Sequence, residues 1–284
     1  MTKYIELELG TQLTKKQKEA SKYRGFEGSL GLEKSTQRQI LFRSSNLERI
    51  IGKDDRKRVL STEEYPFRMI CKLSMNFHGQ PTYAGSGALI GENIILTAAH
   101  NVYDSAMGAA HTITVAPGQA DYDVLPFGEY TVSKVFFPEA YKTNHATDND
   151  YACLVIDEPI GRKVGYFDIM SPSDNLLRNS ILRLTGYPGD KGGTQMWHHF
   201  SPPDKISDTT ITYKADTYGG NSGGPIYTYE DGQDDGRPTI MGIHTYGADK
   251  FEFEGQVFPE HNGGRRIDQE VLDAISEWKA AAAK

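Results

Sequence analysis

A short glycine-rich segment around Ser222 carries the residues best suited to nucleophilic chemistry. It reads Gly-Gly-Asn-Ser-Gly-Gly-Pro over residues 219–225. A serine hydroxyl is a weak nucleophile and needs a base to accept its proton. The tetrahedral intermediate needs hydrogen-bond donors for its negative charge, and glycines let two amides point to one spot. We therefore expect Ser222 to be the nucleophile and the amides of Gly220 and Ser222 to form the oxyanion hole.

Two segments earlier in the chain supply a candidate base and a candidate acid. His100 ends the run Leu-Thr-Ala-Ala-His (96–100), where an apolar strand turns into a loop. Asp150 precedes the apolar run 151–156, and an acid at the mouth of a buried strand must be hydrogen-bonded or its burial is costly. An imidazole N–H is a suitable partner. Asp148 competes for this role, and we favour Asp150 because it lies nearer the apolar run.

The serine segment also matches G-x-S-x-G, the nucleophile elbow of α/β-hydrolases. That fold requires a helix after the serine, followed by the acid and the histidine. Here Pro225 and β-branched or aromatic residues follow, and both His100 and Asp150 come before Ser222. The order His, Asp, Ser is that of the chymotrypsin class, so the elbow is excluded.

The elements that must position these residues are mostly short strands. From Ile50 onwards, apolar runs recur between Gly, Pro, Asn and Asp, which predicts an all-β fold. These runs are 69–73, 88–90, 93–96, 151–156, 181–184 and 239–243. Only Asp268 to Lys279 is convincingly helical, since its apolar residues recur at helical spacing. They are Val271, Leu272, Ile275 and Trp278, and we expect them to pack on the core.

The first 49 residues differ from the rest in composition and hydrophobic pattern. The stretch 14–24 is rich in Lys and Gln and has no apolar stripe, and 25–31 is glycine-rich. We interpret 1–49 as a weakly structured extension and a possible pro-segment, with an ordinary surface appendage as the alternative. Residues 50–284 are then the folded domain.

The composition limits the classes of molecule that the protein is expected to bind. The chain has 284 residues and a net charge of −7, which argues against nucleic acid or an anionic membrane as the main partner. No stretch has the apolar length of a membrane span, and Met1 to Gly10 lacks the apolar core of a secretory signal. The location therefore stays open: retention in the cell, another export route, or a signal that was removed. We expect a monomer acting on proteins or peptides.

Neither the cysteines nor the paired histidines indicate a cofactor. Cys71 and Cys153 lie in apolar runs and are expected to be buried thiols, although a disulfide between them is possible. Neighbouring side chains in a strand point to opposite faces, so His198 and His199 are a poor chelating pair. We expect no metal site and no cofactor.

Taken together, the segments 96–100, 148–156 and 219–225 resemble those of chymotrypsin-like serine proteases. Segment 185–191 with Met196-Trp197, Thr217 before the serine, and 242–247 resemble the V8-like glutamyl endopeptidases more closely. The resemblance implies two antiparallel six-stranded β-barrels with the site in the cleft between them. It assigns His100 as general base and then acid, Asp150 as the group that orients the imidazole, and Ser222 as nucleophile of a serine endopeptidase.

The same resemblance bears on specificity and activation. In that branch a histidine and a threonine hold the substrate carboxylate, and His244 and Thr217 match them. This implies cleavage after Glu and, less well, after Asp. A different preference for the residue before the cut, or a non-catalytic binding protein on the same fold, are the alternatives.

Activation in this branch involves a new N-terminus. The stretch 50–56 resembles the mature start of the family, so we expect cleavage after Arg49, with the freed amine of Ile50 helping to bind the substrate acid. Asn221 stands where digestive enzymes have an Asp, so an activating ion pair beside Ser222 is not expected. The family is usually exported, whereas no signal peptide is visible here.

Overall fold

The computed structural model describes residues 3–9, 48–78, 82–229, 236–248, 251–253, 256–258 and 260–283. Its strands carry most of the structure, as the short apolar runs predicted. They are β1 Tyr4–Glu8, β2 Lys57–Arg58, β3 Ile70–Asn76, β4 Thr82–Leu89, β5 Ile94–Thr97, β6 Tyr103–Asp104, β7 Gly108–Ala109, β8 Thr112–Pro117, β9 Tyr130–Pro138, β10 Ala152–Ile156, β11 Asp168–Ile169, β12 Leu182–Gly186, β13 Trp197–Ser201, β14 Pro203–Ile206, β15 Thr210–Tyr213, β16 Pro225–Tyr229, β17 Pro238–Ala248, β18 Phe251–Phe253, β19 Gln256–Phe258 and β20 His261–Arg266.

The helices are few and short apart from the last. They are α1 Glu139–Asn144, α2 Gly161–Val164, α3 Asp174–Arg178 and α4 Gln269–Ala282, with single 3₁₀ turns at Phe67–Met69, Ala99–Asn101, Thr147–Asn149 and Gly189–Lys191. None of the helices that the structure describes combines the length and apolar character needed to cross a membrane.

The first sheet closes into a barrel. Its strand order is β1-β9-β10-β5-β4-β3-β8, and β8 also pairs with β9, so six strands form a closed ring and β1 lies outside it on β9. All of these pairings are antiparallel. Alternate residues of each strand fill the interior, whose buried side chains include Leu73, Ile95, Val135 and Leu154.

The second sheet has the order β14-β15-β20-β17-β16-β12-β13-β2, with β11 parallel to β17. It curls as a half-barrel, and within the described residues its two edge strands, β14 and β2, do not pair with each other. The expected fold class is confirmed, but the expected second six-stranded barrel is open. The reason lies at one edge, where Trp197 and His198 of β13 pair with the short strand β2 and not with β14.

The C-terminal helix α4 packs where the two sheets meet, as its apolar spacing predicted. Asp268 caps it, because its side chain accepts a hydrogen bond from Val271 N at 3.0 Å. Trp278 is fully buried and stacks on Tyr151, with 5.7 Å between ring centroids. The helix thereby covers the strand that follows Asp150.

Both cysteines are free and buried, as expected. Burial raises the pKa of the Cys71 and Cys153 thiols well above the ordinary range. They lie in separate clusters of core side chains and are structural residues.

The N-terminal extension differs from the expectation at its start. Residues Tyr4–Glu8 form the ordered edge strand β1, although the whole of 1–49 was expected to be weakly structured. The cause is local alternation, because Ile5 and Leu7 both face the first barrel. The Lys- and Gln-rich stretch 14–24 and the glycine-rich stretch 25–31 lie outside the described residues.

Candidate active site

His100 and Asp150 meet at the ends of two paired strands. The 3₁₀ turn carrying His100 follows β5, and Asp150 stands just before β10. These strands are antiparallel with Ala152 opposite Thr97, which brings the two side chains together. His100 Nδ1 and Asp150 Oδ2 are 2.7 Å apart, and His100 N donates to Asp150 Oδ1 at 2.9 Å. The carboxylate accepts from both ring and backbone, so it fixes the proton on Nδ1 and leaves Nε2 as an acceptor.

Asp148, the competing acid, lies elsewhere. Its Oδ1 accepts a hydrogen bond from Thr209 Oγ1 at 2.7 Å. Asp150 is 4% exposed, in keeping with its position nearer the apolar run. The structure therefore brings Asp150, not Asp148, to His100.

The loop holding Ser222 runs between β15 and β16 and is fixed from the first barrel. Ser86 N and Asn101 Nδ2 both donate to Ser222 O at 2.9 Å. Ser86 Oγ also donates to Gly220 O at 2.7 Å. The segment around Ser222 is thus hydrogen-bonded to β4 and to the turn that carries His100. This ties together the three segments singled out in the sequence.

Gly223 is required by this close approach. Its φ is +84°, and a Cβ at this position would lie 2.1 Å from Thr97 Oγ1 and 2.3 Å from Ser86 O. Only a residue without a side chain fits between the two sheets here. Gly220, with φ of 108°, completes the turn before the serine. Among the described residues, the amides of Gly220 and Ser222 have no acceptor, so both are available as donors.

A small pocket beside the serine is lined by Asp216, Thr217 and His244, among others. The pairing of β16 with β17 places His244 there, since its backbone N donates to Gly224 O at 2.9 Å and its O accepts from Gly223 N at 2.8 Å. Thr217 follows β15 on the other wall. Both residues are buried, and within the described residues Thr217 Oγ1 and His244 Nε2 have no hydrogen-bond partner. The pocket therefore presents two polar atoms able to bind a carboxylate.

The side chain of Glu48 is buried between Ser222 and His244, the histidine that lines this pocket. Its Oε1 accepts a hydrogen bond from Ser222 Oγ at 2.5 Å and lies 3.4 Å from His244 Nε2. The Glu48 side chain is only 1% exposed. A buried carboxylate needs donors around it, and here Ser222 Oγ donates to Oε1, whereas Oε2 has no hydrogen-bond partner among the described residues. Glu48 is not among the site residues predicted from the sequence.

The backbone on either side of Glu48 is also held in the cleft. Arg49 N donates to Asn262 Oδ1 at 2.9 Å, and Arg49 O accepts from Asn262 Nδ2 at 2.7 Å and from Thr217 N at 2.9 Å. Ile51 N then donates to Asp216 Oδ1 at 2.7 Å. Segment 48–51 is therefore fixed along the pocket base by its main chain. Ile50, expected to bind substrate, lies in the middle of this segment.

A charged cluster fixes the chain directly after this segment. Arg56 donates to Asp54 and to Asp190, and Lys191 Nζ lies 2.8 Å from Asp54 Oδ2. The hydrogen bond from Arg56 holds the pKa of Asp54 well below its usual range. Asp55 N donates to Asp216 Oδ2 at 3.0 Å, so the Asp216 carboxylate is shared between two backbone amides of this segment.

Tyr213 sets the proton position on His244. The Tyr213 hydroxyl lies 2.6 Å from His244 Nδ1. Burial raises the pKa of Tyr213 well above its ordinary range, so it remains a phenol and a donor. Since His244 Nε2 faces the Glu48 carboxylate, the imidazole proton belongs on Nε2, and Nδ1 accepts from Tyr213. The pocket histidine thus carries an N–H on the side of the carboxylate, 3.4 Å from Glu48 Oε1 and without a hydrogen bond to it.

Metal ligation finds no support in the arrangement. Across the part of the chain that the structure describes, no three His, Cys, Asp or Glu side chains are grouped to hold a metal ion. His198 packs against Phe67 and Phe200, while His199 Nδ1 accepts from Asp216 N at 2.8 Å. The two histidines therefore serve different structural contacts.

Known proteins of similar sequence and structure identify the family. A family model described as trypsin matches residues 61–256. The chain is 35% identical over 240 residues to a Bacillus licheniformis protein named glutamyl endopeptidase, covering 84% of this chain and 71% of that protein. It is 31% identical over 232 residues to a Bacillus subtilis protein named extracellular metalloprotease, covering 81% and 69%.

A solved structure of a Glu endopeptidase in complex with MPD aligns with a TM-score of 0.67 and 28% identity, covering 81% of this chain and 99% of the other. The family match spans more than half of the chain, and it includes His100, Asp150 and Ser222. The chain belongs to the trypsin family and is a serine protease.

Proposed function

We propose that the protein is a glutamyl endopeptidase, cutting after Glu and, less efficiently, after Asp. The observation that carries this specificity is the Glu48 carboxylate, buried against Ser222 Oγ and near His244 Nε2. A pocket that accommodates this carboxylate has donors suited to a substrate glutamate. Aspartate is one methylene shorter, so its carboxylate reaches the same donors less well.

The proposed chemistry uses the side chains and backbone amides described above. Ser222 Oγ attacks the substrate carbonyl while His100 Nε2 accepts its proton. Asp150 stabilises the imidazolium through Nδ1–H, and the amides of Gly220 and Ser222 donate to the oxyanion. His100 then protonates the departing amine, and the acyl-enzyme is hydrolysed by water with His100 again acting as base. Thr217 Oγ1 and His244 Nε2–H hold the substrate carboxylate.

A basic preference is the rival specificity, since Asp216 provides a carboxylate at the pocket. Its two oxygens accept from Ile51 N and Asp55 N, so they are already engaged. A substrate Lys or Arg would have to compete with these backbone bonds. The two donors of the pocket, Thr217 Oγ1 and His244 Nε2–H, favour an acidic substrate side chain instead.

The test is a map of cut sites in a denatured protein digested by the active enzyme. We expect Glu to dominate the position before each cut, with Ser222→Ala giving no cuts. His244→Ala should lower kcat/KM for Glu substrates far more than it lowers stability, whereas His111→Ala, an exposed histidine away from the pocket, should leave both unchanged. Cuts mainly after Lys, Arg or aromatic residues would refute the glutamyl assignment.

Residues 1–49 are, on this proposal, a pro-segment that is cut after Arg49. Two contacts support latency of the uncut chain: the Glu48 carboxylate lies buried beside His244, and it accepts the hydrogen bond of the Ser222 hydroxyl, whose proton His100 has to accept in catalysis. Cutting frees the amine of Ile50 close to Thr217, whose N bonds Arg49 O. N-terminal sequencing of active protein should find Ile50 or a close neighbour. Full activity with Met1 still attached would contradict this proposal.

A further inference from the structure

Strand β1 is bound to the first barrel along its whole length. It pairs with β9 from Tyr4 opposite Pro138 to Glu8 opposite Lys134. The pairing continues beyond both ends, because Glu139 N donates to Lys3 O at 3.0 Å and Leu9 N donates to Ser133 O at 2.9 Å. The first residues of the chain thus contribute a full edge strand.

Side chains reinforce this backbone pairing. Leu9 is 8% exposed and belongs to the core of the first barrel, and Ile5 and Leu7 pack against the same core. Tyr4 makes edge-to-face contacts with Phe136 and Trp278 at 6.0 and 6.3 Å. The contact therefore has both the ladder and the alternate apolar residues that characterise recognition by strand addition.

Within the described part of the chain, no other strand lies on the edge of β9 that β1 covers. The ring strand β8 pairs only with Tyr130 and Thr131 at the start of β9, whereas β1 takes Lys134 to Pro138. Unpaired main-chain groups on an exposed edge attract another strand. Removal of β1 would leave such an edge on the enzyme.

We propose that the edge of β9 is a binding site for residues 3–9 that outlasts cleavage after Arg49, so that the cut protein is a two-chain complex. This inference rests on the proposed pro-segment cleavage. None of the contacts described for β1 involves the Arg49–Ile50 bond, so hydrolysis of that bond removes none of them.

The experiment uses the full chain carrying Ser222→Ala, because its readout then does not depend on catalysis. Limited digestion with a protease that cuts after Lys and Arg is followed until N-terminal sequencing shows Ile50. The native product is passed through a size-exclusion column, and the main peak is analysed by mass spectrometry. We expect a fragment containing Tyr4 to Leu9 to co-elute with the large fragment and to separate from it in urea.

Matched variants of β1 test the contact itself. Leu7→Asp should lose the fragment at least tenfold faster on repeated passage, and Leu7→Ala should be intermediate. Glu8→Gln, on the exposed face of the same strand, should retain it. A native peak without residues 4–9, or equal retention in Leu7→Asp, overturns the inference. Because no step requires activity, failure of the glutamyl assignment would not alter this result.

Discussion

The hydroxyl of Tyr213 offers a sharp test of how the pocket recognises an acid. In Tyr213→Phe, His244 Nδ1 loses a donor at 2.6 Å while the ring keeps its packing. The imidazole is then free to carry its proton on Nδ1, which leaves Nε2 as an acceptor facing the substrate carboxylate. Binding Glu requires the proton to return to Nε2, with Nδ1 buried and unpaired.

The size of the effect follows from that unpaired atom. A buried polar group without its partner costs about 1–3 kcal/mol, which corresponds to roughly 5- to 150-fold in kcat/KM at about 1.4 kcal/mol per tenfold. The variant avoids part of this cost in the free enzyme by shifting the proton. We therefore expect a loss of about tenfold for Glu substrates.

The assay compares two peptides that differ only in Glu or Gln before the scissile bond. Gln presents an amide that can accept from Nε2–H or donate to bare Nε2, so it should lose much less than Glu. Tyr187→Phe is the matched control, because it removes another buried hydroxyl, which donates to Gln119 O at 3.1 Å, and Tyr187 does not line the acid pocket. Equal losses for both peptides, or an unchanged ratio of Glu to Gln, would refute the role given to Tyr213.

Three further predictions concern the triad, the loop and the core. Asp150→Asn should lower kcat about 10³- to 10⁴-fold by disturbing the His tautomer, whereas Asp148→Asn should retain activity in the same peptide assay. Gly223→Ala should prevent correct folding because its Cβ would collide with Thr97 Oγ1, and soluble, fully active protein would contradict this. Burial lowers the pKa of Lys72 to about 8, while the unfolded chain holds that proton up to its ordinary pKa of about 10.4. Between these values the unfolded state binds more protons, so the free energy of unfolding should rise by up to about 1.4 kcal/mol per pH unit relative to that of Lys72→Met. Denaturant titration of both proteins at pH 8 and 10 measures this difference. The same pH dependence in both proteins would exclude the lowered pKa of Lys72.

The local motifs indicated the segments around His100, Asp150 and Ser222 because the proposed chemistry depends on short, contiguous patterns. His100 follows one strand and Asp150 precedes another, and the pairing of these two strands brings the residues together. The acid-binding pocket could be predicted only from the family resemblance, since nothing near His244 or Thr217 in the sequence indicates that these residues bind a substrate carboxylate. The all-β architecture followed from short apolar runs, but the missing closure of the second barrel depends on which edge β2 covers.

The features that sequence reasoning missed depend on distant pairs. Glu48 and Ser222 are 174 positions apart, and Ile51 and Asp216 are 165 apart, so no window of sequence contains both partners. Strand β1 is different, because Tyr-Ile-Glu-Leu-Glu (4–8) alternates apolar and polar residues and did carry a signal. The Lys-rich stretch that follows led to the interpretation of the whole of 1–49 as weakly structured, and the strand signal in 4–8 was overlooked.

The placement of Glu48 has a consequence for how activity depends on protein concentration. In the uncut chain the blocking carboxylate belongs to the same molecule, so its occupancy is the same at any dilution. Once the chain is cut, the segment becomes a separate ligand and obeys mass action. A freshly cut sample should then gain specific activity once it is diluted far enough for residues 3–9 to leave β9, and lose it again when the released segment is added back.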